Sequence, residues 1–163
     1  MRPFLVWRDD WLLGYDEVDE QHLALAGKLN ELHRFLVHDA SRPQGGLDQL
    51  CHQLTELFEM TRQHFRDEEA LMEFSDYPGL NAHHREHAML LAEMQECMRE
   101  IEAGSRTFSL QTLTALKYWQ IDHVLNSDQE FVAYLVNRAD MQERPRTVTT
   151  PPELFRQTHL SRH

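Results

Sequence analysis

Four segments of the chain carry apolar residues at the three- and four-residue spacing of an amphipathic helix, and this pattern constrains the fold more than any other feature. Proline and glycine separate the segments, for example in ASRPQGG (40–46) and SDYPGL (75–80). No stretch alternates polar and apolar residues as a strand would. The sequence therefore predicts an all-α fold, an up-down-up-down antiparallel four-helix bundle. The predicted helices span about residues 19–38, 47–74, 81–103 and 108–137.

Two flanks lie outside the predicted helices. Residues 1–18 carry Trp7, Trp11 and Tyr15 ahead of the first predicted helix, which predicts an aromatic arm packed on the bundle. Residues 138–163 hold three prolines and predict an irregular C-terminal extension. We expect this extension to be a solvated tail, and the alternative is docking of Leu154 and Phe155 on the bundle or on a partner. Residues 1–137 then form one domain.

The charge balance excludes several classes of partner. The chain has 16 basic and 27 acidic residues and a formal net charge of −11. Such a chain should repel nucleic acid and anionic membrane surfaces, because binding to phosphate needs a cationic surface. No run reaches the roughly 20 apolar residues of a transmembrane helix, and MRPFLVWRDD does not fit a signal peptide. The two thiols, Cys51 and Cys97, suit a reducing cytoplasm. We expect a cytoplasmic monomer that binds neither nucleic acid nor membrane.

Polar residues that can bind metals lie on the faces predicted to point inward. A lone histidine on such a face is more often a hydrogen-bonded core residue, and isolated pairs four residues apart are common on surface helices. Several such residues together, on the inward faces of all four predicted helices, are a different case. Burying all of these side chains without partners would cost several kcal/mol. The set comprises His22, His64, Glu68, His83, His87, His123 and Asp128.

The chemistry of this set indicates metal binding. Imidazole together with carboxylate suits iron, zinc or manganese, and the lack of thiolates in the set argues against an iron–sulfur cluster. Seven ligands are too many for one tetrahedral zinc and suit two metal ions, which carboxylates can bridge. One spacing is irregular, because His123 and Asp128 lie five residues apart, about 140° around an ideal helix. Asp128 could reach the site from its edge or through a π-type distortion.

The ordered series of these residues resembles the hemerythrin family, specifically its bacterial branch. Four further segments support the resemblance: GYDEVDEQH, HFRDEEALM, YPGLNAHHREH and WQIDH. The similarity extends over about residues 7–135. It implies two iron ions with a hydroxo or oxo bridge, and dioxygen as the ligand of one iron. The implied ligands are His83, His87 and His123 on one iron, His22 and His64 on the other, and Glu68 and Asp128 as bridges.

The resemblance also implies an apolar oxygen pocket beside the ligands. Phe65, Trp119 and Val124 fit this pocket by position. Gln120 stands where the resemblance leads us to expect leucine. It either hydrogen-bonds at a helix boundary or brings an amide close to the open iron.

Three residues next to His64 and Glu68 on the second predicted helix are expected at the surface: Arg66, Asp67 and Glu69. His84 could pair with His87 three residues later, but the 19-residue step from His64 to His83 fits the family better. We therefore place His84 outside the ligand set.

The resemblance implies reversible binding of dioxygen by a non-haem di-iron protein, which would act as a carrier, a store or a delivery module. The alternatives are a sensor of oxygen, nitric oxide or redox state, a di-iron oxidase or peroxidase, and a structural or iron-storage bundle. Carboxylate-rich sites that activate oxygen use Glu-x-x-His pairs, and the sequence contains none. We therefore expect a binding protein rather than an enzyme.

Overall fold

The structure, a computed structural model, describes residues 2–38 and 45–143, with side chains through residue 139. It contains a short 3₁₀ turn, five α-helices and one π-helical segment, and the described residues form no strand. The elements are the 3₁₀ turn Asp9–Trp11, α1 Asp16–His38, α2 Gly46–Phe74, α3 Leu80–Glu102, α4 Leu110–His123, the π segment Val124–Asp128 and α5 Gln129–Glu143.

The helices pack as the predicted antiparallel bundle. Helix α1 packs against α2 and α4, and α2 packs against α3. The π segment joins α4 to α5, so these three elements form one continuous fourth rod. The all-α bundle predicted from the spacing of apolar residues is thereby confirmed.

Local charge and hydrogen bonds explain where two helices begin. Helix α1 begins at Asp16, before the predicted start near residue 19, and its first turn is acidic, which suits the positive end of a helix dipole. The carboxylate of Asp19 also accepts hydrogen bonds from the amides of Leu13 and Gly14 at 2.8 and 3.0 Å. Helix α4 begins after the predicted residue 108 because Ser109 caps it and accepts from the Thr112 amide at 3.2 Å.

The fourth rod continues past its predicted end at residue 137 to Glu143. Side chains near this point hold it to the bundle: the Arg138 guanidinium donates to the Tyr134 hydroxyl, which in turn donates to the Ser75 carbonyl. The prolines of the predicted extension and its Leu154–Phe155 pair lie outside the described residues.

The N-terminal arm packs on the bundle as predicted. Leu5 is buried, and its backbone amide and carbonyl both hydrogen-bond the Asn30 side chain, at 2.7 and 2.8 Å. Lys117 of α4 donates to the Phe4 carbonyl at 2.8 Å. The Trp7 ring lies 5.9 Å from the ring of His22 between centroids. The arm therefore covers the bundle beside one of the candidate ligands.

The apolar core is interrupted by a polar layer. On α2, Leu57 and Met72 are buried apolar residues on either side of the buried polar residues. On the fourth rod, Leu113 and Phe131 are fully buried and flank another polar pair. Among the described residues, no helix combines the length and the apolar character that crossing a membrane requires.

Candidate metal centre

The polar layer contains every candidate ligand predicted from the sequence. One comes from α1, two each from α2 and α3, one from α4 and one from the π segment, and all are buried. They are His22, His64, Glu68, His83, His87, His123 and Asp128.

These residues form two groups that share two members. We call His83, His87 and His123 the three-histidine half, and His22 and His64 the two-histidine half. The potential donor atoms of each half, together with those of Glu68 and Asp128, lie within 4.8 Å of one another. Each group could therefore hold one metal ion, with the two carboxylates common to both.

Asp128 directs its two oxygens to different halves. Its Oδ2 lies 2.9 Å from His22 Nε2. Its Oδ1 lies 2.9 Å from His83 Nε2 and 3.0 Å from His123 Nε2. This is the arrangement expected of a carboxylate that bridges two metal ions.

Glu68 divides its oxygens in the same way. Its Oε2 lies 3.5 Å from His64 Nε2. Its Oε1 lies 2.8 Å from His83 Nε2 and 3.4 Å from His87 Nε2. Both carboxylates therefore contact both halves of the layer.

The imidazole nitrogens of the three-histidine half converge on one point. His123 Nε2 lies 3.1 Å from His83 Nε2 and 3.0 Å from His87 Nε2. Imidazole nitrogens bind metals such as zinc at about 2.1 Å, so two of them at right angles around one ion are about 3 Å apart. The observed separations fit adjacent positions around a single metal ion.

Several buried polar atoms of the layer have no hydrogen-bond partner among the described residues. Although imidazole nitrogens lie close to the carboxylate oxygens, their orientation does not make these contacts hydrogen bonds. A buried polar atom without a partner costs about 1–3 kcal/mol, and metal coordination would remove that cost. The atoms are both ring nitrogens of His22, Nε2 of His64, and both carboxylate oxygens of Glu68 and Asp128.

The two carboxylates remain ionised in the layer. Burial alone would raise the pKa of Asp128, but the adjacent His123, His22 and His83 lower it well below its ordinary value. Burial and Asp128 also oppose ionisation of Glu68, yet its histidine neighbours lower its pKa overall. Both side chains are therefore anionic at neutral pH, as metal ligands must be.

The histidines differ in charge. Burial lowers the pKa of His83, but Asp128 and Glu68 more than offset this effect and raise it to about 9. The pKa of His123 is also raised, because Asp128 outweighs burial. Burial dominates at His64 and lowers its pKa to about 4. Without metal, the proton on His83 offsets part of the charge of the carboxylates.

The π segment explains how Asp128 reaches the layer. Five residues of α-helix would turn Asp128 about 140° away from His123, whereas a π segment winds more slowly and brings residues five apart close to one face. Asp128 Oδ1 and His123 Nε2 accordingly lie 3.0 Å apart. Of the two routes open from the sequence, the structure has the π-type distortion.

A small cavity adjoins the two-histidine half. Its volume is about 40 Å³, and it is lined by both His22 and His64, together with Asp128 and one ligand candidate of the other half, His123. Because one water molecule needs roughly 10–15 Å³ of such a cavity, there is room for a diatomic molecule. All four residues predicted for the oxygen pocket also line it: Phe65, Trp119, Gln120 and Val124.

Two of these cavity residues also support ligands by stacking. The Phe65 ring lies 3.7 Å from the His87 ring with an interplanar angle of 4°. The Trp119 ring lies 4.6 Å from the His123 ring at 12°. These contacts restrict the rotation of both imidazoles.

Comparison with known proteins identifies the family. The family model described as the hemerythrin HHE cation binding domain matches residues 13–135. The chain belongs to the hemerythrin family. A bacteriohemerythrin of Stenotrophomonas maltophilia is 32% identical over 127 residues, which cover 78% of each chain. A bacteriohemerythrin of Ralstonia nicotianae is 29% identical over 83% of this chain and 92% of its own.

More distant hemerythrins agree in fold. The myohemerythrin of Riftia pachyptila is 24% identical over 77% of this chain and 89% of its own length. The crystal structure of a wild-type hemerythrin superposes with a TM-score of 0.73 at 22% identity, covering 81% of this chain and 98% of that one. The resemblance stated from the ligand series is therefore confirmed for family and fold.

Three residues of this hemerythrin-family layer were not predicted from the sequence. Each accepts a hydrogen bond from the Nδ1 of a candidate ligand on another helix. Glu69 was expected at the surface, but it is half-buried, because its carboxylate is drawn inward by His87. The pairs are Gln21 with His64 at 2.6 Å, Glu69 with His87 at 2.7 Å and Glu86 with His123 at 2.8 Å.

His84 and Gln120 were ambiguous from the sequence. His84 is exposed and its Nδ1 lies 2.9 Å from Glu69, so it stands outside the buried layer as expected. Gln120 is buried, lines the cavity and donates from Nε2 to the His22 carbonyl at 3.3 Å. It therefore makes a helix-to-helix hydrogen bond and also brings an amide to the cavity.

Proposed function

We propose that this chain is a non-haem di-iron protein that binds dioxygen reversibly, as a carrier, a store or a delivery module. The observation that carries the proposal is the division of the Glu68 and Asp128 oxygens between the two histidine groups. A site for one metal ion would not require two carboxylates that each contact both halves. Membership of the hemerythrin family supports iron as the metal.

The proposed ligands follow from the two groups. The three-histidine half would hold one iron and the two-histidine half the other, with Glu68 and Asp128 as bridges. When bound, the iron pair supplies the electrons for reversible binding of dioxygen. The five imidazoles are neutral donors that favour the lower oxidation state more than a carboxylate-rich set would.

The chain's own residues account for selectivity and reversibility. The cavity admits a diatomic molecule and lies beside the half that has fewer protein ligands. Its wall is largely apolar, with Leu25, Leu29 and Val124 among its residues, so it holds little water. Exclusion of water slows proton transfer to bound oxygen, and this protects a reversible binder.

A cycle of oxygenation tests the proposal. The iron-loaded protein is reduced without air, exposed to air, and then flushed with argon. We expect a visible absorption band that appears with air and disappears with argon over repeated cycles. A ferric spectrum that does not reverse, or turnover with a reductant, would instead identify an oxidase or peroxidase.

A matched pair of variants locates the reaction. His22→Gln removes a proposed ligand, and we expect it to abolish the reversible band. His33→Gln makes the same change farther along α1, where the ring stacks on Phe4, and should retain the band. Equal behaviour of both variants would contradict the ligand assignment.

A further inference from the structure

The imidazoles of the two halves differ in what their outer nitrogens contact. In the three-histidine half, the Nδ1 atoms of His87 and His123 face the carboxylates of Glu69 and Glu86 at 2.7 and 2.8 Å. Two of the three rings therefore donate to an anionic acceptor. Such an acceptor fixes the ring orientation and makes the inner nitrogen a stronger ligand.

The two-histidine half has no such carboxylate among the described residues. His64 Nδ1 faces the amide oxygen of Gln21 at 2.6 Å, and the amide nitrogen of Gln21 donates to Asp67 at 3.0 Å. The second contact sets the orientation of the amide, so a neutral oxygen is the acceptor for His64. The Nδ1 of His22 is buried and has no partner among the described residues.

The carboxylates of Glu69 and Glu86, which face two rings of the three-histidine half, are held in place by further contacts. Ser127 of the π segment donates to Glu86 at 2.6 Å, on the same oxygen that faces His123. The second oxygen of Glu69 lies 2.9 Å from His84 Nδ1. These contacts keep the two acceptors directed at the ligand rings.

We propose that Glu69, Glu86 and Gln21 are positioning residues that give the two halves unequal affinity for metal. The carboxylates strengthen the three-histidine half so that it fills first, whereas the amide leaves the two-histidine half a weaker donor. This inference rests on the proposed function in one respect, since it takes both groups to hold a metal ion.

Titration of the metal-free protein with Co²⁺ or Zn²⁺, in competition with a chelator, tests the role of the carboxylates. We expect two binding phases. Glu69→Gln and Glu86→Gln should each weaken the tighter phase about tenfold or more, as loss of such partners typically does, and leave the weaker phase unchanged. Asp122→Asn removes an exposed charge beside His123 and should change neither phase. Equal effects on both phases, or none, would overturn the proposal.

The reverse change tests the role of Gln21. Gln21→Glu combined with Asp67→Asn gives His64 a carboxylate and removes the repulsion that Asp67 would cause. We expect the weaker phase to tighten about tenfold, while Asp67→Asn alone leaves it unchanged because the Asn side-chain oxygen can still accept from the Gln21 amide. A gain in affinity cannot result from damage to the fold, so a double variant without that gain contradicts the proposal.

The Nδ1–H protons of the Zn²⁺-loaded protein provide a spectroscopic signature. We expect those of His87 and His123 to resonate downfield of that of His64, and Glu69→Gln to move the His87 signal upfield alone. If no variant and no wild-type protein binds metal, the proposed function fails together with this inference. If two metal ions bind with equal affinity and the variants change nothing, only this inference fails.

Discussion

His83 faces both carboxylates of the layer, and a proton on its ring offsets one of their two negative charges when metal is absent. Burial lowers the pKa of His83, but Asp128 and Glu68 raise it to about 9, well above the value of about 6.5 for an unfolded chain. Metal binding needs the neutral ring. A metal ion therefore replaces a proton at the same place in the layer.

The pH dependence of the metal-free protein should follow from these shifts. The raised pKa of His83 stabilises the fold fully below about pH 6.5 and loses that effect as pH rises through about 9. The lowered pKa of His64, about 4, acts oppositely: its neutral burial destabilises the fold as pH falls from about 6.5 towards 4. We expect the Tm of the metal-free protein to peak near pH 6.5.

Thermal unfolding from pH 4 to 10, with and without bound metal, checks this prediction. Metal occupies the place of the His83 proton, so the alkaline decline should be absent from the loaded protein. A metal-free protein whose Tm stays level between pH 7 and 9 would show that His83 is neutral there.

Gln120 should influence how long the oxygenated protein lasts. One amide hydrogen of Gln120 is directed to the His22 carbonyl, and the second remains to donate to the oxygen of a water in the cavity, which could in turn supply a proton. Gln120→Leu removes that polar group, and we expect the oxygenated band to decay about fivefold more slowly, the equivalent of one hydrogen bond of about 1 kcal/mol. Stopped-flow spectroscopy measures the decay.

Gln111→Leu is the matched control for Gln120, because Gln111 is exposed on the same helix. Its decay rate should equal that of the unaltered protein. An unchanged rate in Gln120→Leu would leave Gln120 with its hydrogen bond between helices as its only role.

The sequence predicted which side chains enter the layer but not what supports them. Six candidates followed from helical spacing, whereas Asp128 needed the family resemblance because its spacing from His123 is irregular. Glu69 and Glu86 sit beside candidate ligands in the sequence, yet each supports a ring on the next helix. The rotation of one helix against another decides such contacts, and a single sequence does not specify it.

At the scale of elements, the π segment is the feature on which the layer depends. It amounts to one extra residue within an otherwise α-helical rod, and it directs Asp128 and then Phe131 inward. Such segments occur frequently at functional sites. The spacing of apolar residues in the sequence predicted a helix here, but the change in winding depends on the packing and charge around Asp128.

Removal of one residue from the π segment should be tolerated. Deletion of the exposed Asn126 places the aspartate four residues after His123, one α-helical turn, and keeps Phe131 directed inward. We expect this variant to retain its metal and to lose only the contribution of the Asn126–Asp122 hydrogen bond, about 1 kcal/mol. Metal analysis and thermal unfolding measure both effects.

A deletion outside the segment gives the contrast. Without Glu130, the spacing of Asp128 is preserved but Phe131 and Val132 turn about 100° away from the core, so the Tm should fall strongly. If the two deletions destabilise the protein equally, the π segment is not equivalent to one inserted residue.

At the scale of the molecule, the bundle encloses a buried layer of charge that a proton on His83 offsets in part and that bound metal ions would neutralise. Four rods and the N-terminal arm surround it, and apolar residues close both ends. Short breaks rich in proline and glycine predicted this topology correctly. The cavity could not be predicted in this way, since its size depends on how the side chains of four elements meet.

The most direct measurement is the uptake of dioxygen by the iron-loaded, anaerobically reduced protein, together with its iron content. We predict about two irons and one dioxygen per chain, with the gas released under argon and taken up again on re-exposure. Uptake that is not reversible, or about one iron per chain, would contradict the assignment of Glu68 and Asp128 as bridges in a reversible oxygen-binding centre.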